Sequence, residues 1–142
     1  MKPLLRKNTA GFTLLEIMLV IIIIVTLMAV LIPNISQKAE QAKIEQAGIY
    51  ITRLSGNIAT YEMQNSSPPS TSQGLKALIE KPAGDPVPRR WRQYEDKIQP
   101  DPWGQEYRYE FPGRHNTKGF DVFSSGPDRT PNTADDIGNW QQ

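Results

Sequence analysis

An almost unbroken run of apolar residues from Phe12 to Ile32 constrains this chain more than any other feature. As a helix rising about 1.5 Å per residue, the run measures roughly 30 Å, the thickness of a bilayer's hydrocarbon core. Lys2, Arg6 and Lys7 precede it. Basic residues beside a span stay on the cytoplasmic side, so the bulk of the chain is expected across the membrane. An ordinary secretory signal has a shorter apolar stretch followed by a small-residue cleavage site, and neither holds here. Glu16 stands out inside the run. A carboxylate well within a bilayer costs about 2.5–3.5 kcal/mol, so Glu16 either finds a cationic partner or snorkels into interfacial water.

Beyond Pro33 the pattern changes without becoming a loop. Ile44, Ala47, Ile51, Leu54, Ile58 and Tyr61 recur at three- and four-residue steps, with Lys38, Glu40, Lys43, Glu45 and Arg53 between them. This is the signature of a helix with one buried face. Pro33 removes an N–H and crowds the preceding turn, which favours a break; if the helix continues through it, the two stretches form one rod from Phe12 to about Met63. Asn65–Ser70 closes it as a polar, proline-stiffened connector. Ser72–Ile79 reads as a short helix that Pro82 stops, and residues 82–88 form a proline-rich loop. Arg89, Arg90 and Arg92 read as a solvated cluster, with Trp91 folded against the body.

From Asp101 onward the chain reads as strand and turn. Gln105–Phe111 alternates with Tyr107, Tyr109 and Phe111 on one face, Gly119–Ser124 alternates with Phe120 and Val122, and residues 112–118 join them as antiparallel partners. The sole histidine, His115, falls in that connector and reads as a surface residue. No nucleophile, base and acid pattern or phosphate-binding glycine loop has supporting context, so catalysis is not expected. The charges nearly balance, with 16 basic and 15 acidic residues, and beyond Lys2, Arg6 and Lys7 the remainder of the chain is slightly negative. Nucleic acid is therefore not an expected partner. With no cysteine, no disulfide staples the domain.

The remaining chemistry lies in Ser124–Ile137, where Asp128, Asp135 and Asp136 sit among glycine, proline and threonine. Hard carboxylate oxygens with loop carbonyls suit Ca²⁺, although the spacing is not that of an EF-hand. Ordinary turn chemistry, with Asp128 and Asp135 capping nearby N–H groups, is the alternative.

Gly11-Phe12-Thr13-Leu14-Leu15-Glu16 resembles the processing motif shared by type IV pilins and the pseudopilins of type II secretion systems. Gln73–Leu78, Asp101–Tyr109 and the Ser125–Asp128 and Asp135–Ile137 segments resemble, more specifically, the major pseudopilins. The resemblance implies an α+β, type IV pilin-like fold: a long N-terminal helix, membrane-spanning then amphipathic, on a small antiparallel β-sheet with a C-terminal calcium-binding loop. It divides the chain into a leader at 1–11, an assembly helix at 12–33, an amphipathic half at 34–64 and a periplasmic region at 65–142. It also implies that a prepilin peptidase cuts between Gly11 and Phe12 and methylates the new terminus. Glu16 would pair with that terminal amine on a neighbouring subunit. Calcium ligands would be the side chains of Asp128, Asp135 and Asp136 and backbone oxygens at Ser124 and Pro127. Pro127, Arg129 and Pro131 depart from the family's glycine-rich loop. The implied function is non-enzymatic. The subunit is inserted once in the inner membrane and polymerises through its N-terminal helix with minor pseudopilins on an inner-membrane platform, forming a periplasmic filament that drives folded proteins outward. A surface pilus subunit and a monomeric, membrane-anchored calcium-dependent binding module are the alternatives.

Overall fold

The periodicity that runs to Tyr61 yields a single helical element, α1, Leu14–Asn65, of 52 residues. The computed structural model describes residues 11–141, without the side chains of residues 30–34. The expected leader thus lies outside the described residues except for Gly11. α1 contributes to both units into which the chain divides, Met1–Glu40 and Gln41–Gln142.

In the first unit the large apolar side chains from Leu14 to Met28 are all between 46% and 81% exposed. Among the described residues no helix is long and apolar enough to cross a membrane. The expected span, Phe12–Ile32, runs past the last apolar side chain described there, Ala29.

In the second unit α1 buries the stripe that its sequence spacing marks. Ala47, Ile51, Leu54 and Ile58 are fully buried, Tyr61 nearly so, and Ile44 packs at the margin of the same core. The helix ends where Ser66 adopts φ 68° and donates its N–H to Glu62. Asn65 reinforces that end, donating to the Tyr61 carbonyl at 3.0 Å while its Oδ1 accepts the Arg90 N–H at 2.8 Å. The expected short helix is a 3₁₀ segment, Gly74–Leu78, with Leu75, Ala77 and Leu78 buried. Gln73 ties the proline loop to it, donating to the carbonyls of Gly84 and Pro86.

Three antiparallel strands follow: β1 (Arg108–Glu110), β2 (Asp121–Ser124) and β3 (Ile137–Gly138), in the order β1-β2-β3. Tyr109 faces Val122 in the first pair and Phe123 faces Gly138 in the second. The expected hairpin is present, with shorter strands than the alternation suggested. β3 was not anticipated, because two residues carry no readable period.

Nor does β2 alternate between buried and exposed. All four of its residues are buried, since it is central and both its faces are covered. Val122 belongs to the core with α1, while Phe123 packs against the Trp140 ring at 5.6 Å. A Cβ at Gly138 would collide with that indole, so glycine is what lets the C-terminal turn fold over the sheet.

The basic run behaves as expected. Trp91 is half-buried and donates Nε1–H to the Ala77 carbonyl at 2.8 Å, while Arg89, Arg90 and Arg92 stay exposed. His115 is exposed too, stacked on Trp140 with ring centres 3.8 Å apart.

Candidate functional sites: the helix start and the acidic loop

Gly11 and Phe12 precede α1 as exposed chain outside any regular element. Thr13 is the N-cap: its hydroxyl accepts the Glu16 N–H at 3.2 Å, and its carbonyl accepts the N–H groups of Glu16 and Ile17. An acid in the first turn also complements the positive end of the helix dipole. The Thr13-x-x-Glu16 spacing is that of a capping box, a signal the sequence carried and the membrane pattern overshadowed. Glu16 therefore sits at the start of the helix, exposed, beside the proposed cleavage point.

The acidic loop runs from the end of β2 to β3, so its two ends are pinned as neighbouring strands. Gly126 turns the chain with φ 63°, and a Cβ there would strike the Asp135 carbonyl oxygen; the two limbs of the loop touch at this point. Asn132, at φ 68°, tolerates the left-handed region well, whereas Arg129, at φ 60°, pays for it. The departure from a glycine-rich loop thus falls on a position that glycine suits best.

Asp128 and Asp135 largely satisfy the turn-chemistry alternative. Asp128 Oδ1 accepts the Thr130 N–H at 2.7 Å. Asp135 accepts the Thr133 hydroxyl at 2.7 Å and the Asp128 N–H at 3.1 Å. Those donors hold its carboxyl below the usual carboxylate range, the Thr133 hydroxyl most strongly. Asp136 is different. It is 6% exposed, its Oδ2 accepts the Asn132 N–H at 2.8 Å, and its Oδ1 is buried with no partner. Leaving a buried polar atom unsatisfied costs about 1–3 kcal/mol, more for a charged group, so a cation at that oxygen fits the chemistry. Among the described residues no three or more His, Cys, Asp or Glu side chains are gathered to hold a metal ion. Main-chain oxygens of the loop would have to complete the shell of any cation at Asp136. Ser124 is fully buried and Pro127 exposed, on either side of the Gly126 turn.

Three further buried carboxylates lay outside the sequence reading as sites. Glu95 accepts from Arg53 at 2.6 Å and Asn57 at 2.8 Å, fastening the 89–100 segment to α1. Asp121 accepts the N–H groups of His115 and Asn116, organising the β1–β2 connector. Gly113 is required beside it, because a Cβ there would overlap that carboxyl. Asp101 accepts from Trp103, Gln105 and the Ser124 hydroxyl. Periodicity has no means of revealing such residues; only the Asp-Pro-Trp-Gly turn chemistry hinted at Asp101.

A helix whose apolar start lies exposed and whose later half packs on a three-stranded sheet defines a pilin-like subunit. Known proteins agree with that class. The profile described as "Type II secretion system (T2SS), protein G" matches residues 34–140, and the "Prokaryotic N-terminal methylation motif" matches residues 6–32. The type II secretion system core protein G of Dickeya chrysanthemi is 44% identical over 138 residues, covering 96% of this chain and 89% of that one. That of Pseudomonas aeruginosa is 41% identical over 141 residues, covering 95% and 97%. The crystal structure of the major pseudopilin from the type 2 secretion system of enterohaemorrhagic Escherichia coli superposes with a TM-score of 0.68 at 38% identity. It covers 74% of this chain and 88% of that one. The chain belongs to the type II secretion system protein G family.

Proposed function

We propose that this chain is the subunit of a type II secretion pseudopilus, processed between Gly11 and Phe12 and polymerised through the start of α1. The observation that carries the reading is the stretch from Leu14 to Met28, whose large apolar side chains are exposed and which falls within the residues that match the methylation motif. Such a surface is stable only in lipid or against other copies of itself. The chain uses both in turn: an inner-membrane pass with the globular unit in the periplasm, then a homopolymer joined by minor pseudopilins on an inner-membrane platform.

Glu16 supplies the register. Buried in an apolar filament axis it costs several kcal/mol alone, and pairing with the methylated amine of Phe12 on a neighbour offsets that cost only in one alignment. The role is structural rather than enzymatic.

Calcium completes the globular unit. Asp128, Asp135 and Asp136 would hold it, with main-chain oxygens of Ser124 and Pro127. Its charge would offset the acidic side chains of the loop and partner the buried Asp136 Oδ1.

Deleting the gene tests the reading. Secreted hydrolases should accumulate in the periplasm while surface pili and motility persist. Normal secretion with pili lost would move the chain to the adhesive or motile pilins.

A further inference from the structure

Asp101 opens a tight turn: its carbonyl accepts the Gly104 N–H at 2.9 Å and its own N–H donates to Gln105 at 2.7 Å. Asp101 is 4% exposed. Oδ1 accepts the N–H groups of Trp103 at 3.0 Å and Gln105 at 2.7 Å, which is enough to hold the turn. Oδ2 is not used by the turn. It accepts the hydroxyl of Ser124, at the end of β2, at 2.5 Å. Ser124 Oγ in turn accepts the Gly126 N–H at 3.1 Å. Gly126 is the residue whose backbone abuts Asp135, next to Asp136 with its buried, unpartnered oxygen.

The direction of this chain is dictated by proton inventory. A carboxylate has no proton to give, so the single Ser124 proton goes to Asp101 and the Ser124 oxygen is left to receive Gly126. The Ser124 hydroxyl is thereby engaged as both donor and acceptor, while the oxygen that the calcium reading assigns to Ser124 is its main-chain carbonyl.

We infer that Asp101 is a positioning residue for the calcium loop, acting through Ser124 and Gly126 to set the entry limb of the loop against Asp135 and Asp136. The inference rests on the calcium reading given above. Partners one step removed from a metal's ligands typically change its affinity 10- to 100-fold when lost.

The test titrates Ca²⁺ alone into the metal-free full chain in detergent, by calorimetry, for the wild type, Asp101→Asn, Ser124→Ala and the double variant. Asparagine is isosteric, but its amide sets a donor against either the two N–H groups or Ser124, whose proton then loses its acceptor. Each single variant is expected to weaken calcium about tenfold, and the double variant by no more than either, because both cut one chain. Amide exchange at Gly126 in metal-free protein should quicken in both, while Val122 and Tyr109 keep their protection. General loosening of the fold would instead raise exchange at all three positions and overturn the inference. Should Asp101→Asn lose the sheet, Ser124→Ala decides, since it leaves Asp101 both main-chain donors. Wild-type affinity in the variants overturns the inference alone; a wild-type chain that takes up no calcium overturns the calcium reading and the inference with it.

Discussion

The two units of this chain share one helix and use it oppositely. From Leu14 to Met28 the helix is apolar nearly all round and its side chains are exposed; from Ile44 to Tyr61 it is apolar along one stripe and that stripe is buried. A stripe can be covered by one small sheet, which is what β1 and β2 provide. A full apolar circumference cannot be covered by the same chain, so it calls for lipid or other copies. The first region is thus built to be completed from outside, and the second to be complete in itself.

If that division is right, substitutions in the two regions should fail in different assays. Glu16→Gln is expected to have the largest effect: no pseudopili by electron microscopy of an overproducing strain, with cleavage and the melting temperature of the globular unit unchanged. Filaments of normal length from this variant would remove the register role. Leu54→Ala, in the fully buried stripe, should cost about 2–5 kcal/mol in denaturant unfolding. Ile23→Ala, 48% exposed in the first region, should leave that midpoint where it was. Equal losses would mean the two halves are not energetically distinct.

Chelation should lower the melting temperature of the globular unit by mass action, and Asp136→Ala should reproduce the shift and abolish the response to chelator. A melting curve indifferent to chelator in the wild type would return the loop to ordinary turn chemistry. The smallest effect is alkaline. Burial pushes the Tyr107 phenol above its ordinary value of 10.0, with the nearby Asp101 charge adding to the shift. The protonated form is therefore the one that the fold favours; stability is intact below pH 10 and declines as pH rises beyond it. Tyr107→Phe should lessen that decline in a denaturation series without abolishing it, because burial raises Tyr109 and Tyr61 as well, and the apolar half of α1 should contribute nothing to it.

Much of this molecule was legible in the residue order. The buried stripe of α1, its end near Asn65, the hairpin from β1 to β2 and the solvent-facing arginines all follow from period, turn residues and charge. Glu16 was legible as an anomaly, though its capping geometry with Thr13 was masked by the stronger membrane signal. The short helix came out as a 3₁₀ turn, and β3 escaped because a two-residue strand exists only through its pairing with β2.

The acidic loop divides along the same line. That Asp128, Asp135 and Asp136 share a loop is a matter of sequence. That two of them are satisfied by neighbouring donors while Asp136 keeps a buried, unpartnered oxygen is not. Nor does any local pattern connect Asp101 with Ser124, 23 positions apart. Period and turn chemistry act over a few residues, so the sequence by itself determined the helix, its two faces and the presence of an acidic loop. Which polar groups meet, and which are left waiting, depends on strands pairing across long separations. Only the tertiary structure decided that, because a hydrogen bond needs its partner within about 3 Å whatever the distance along the chain.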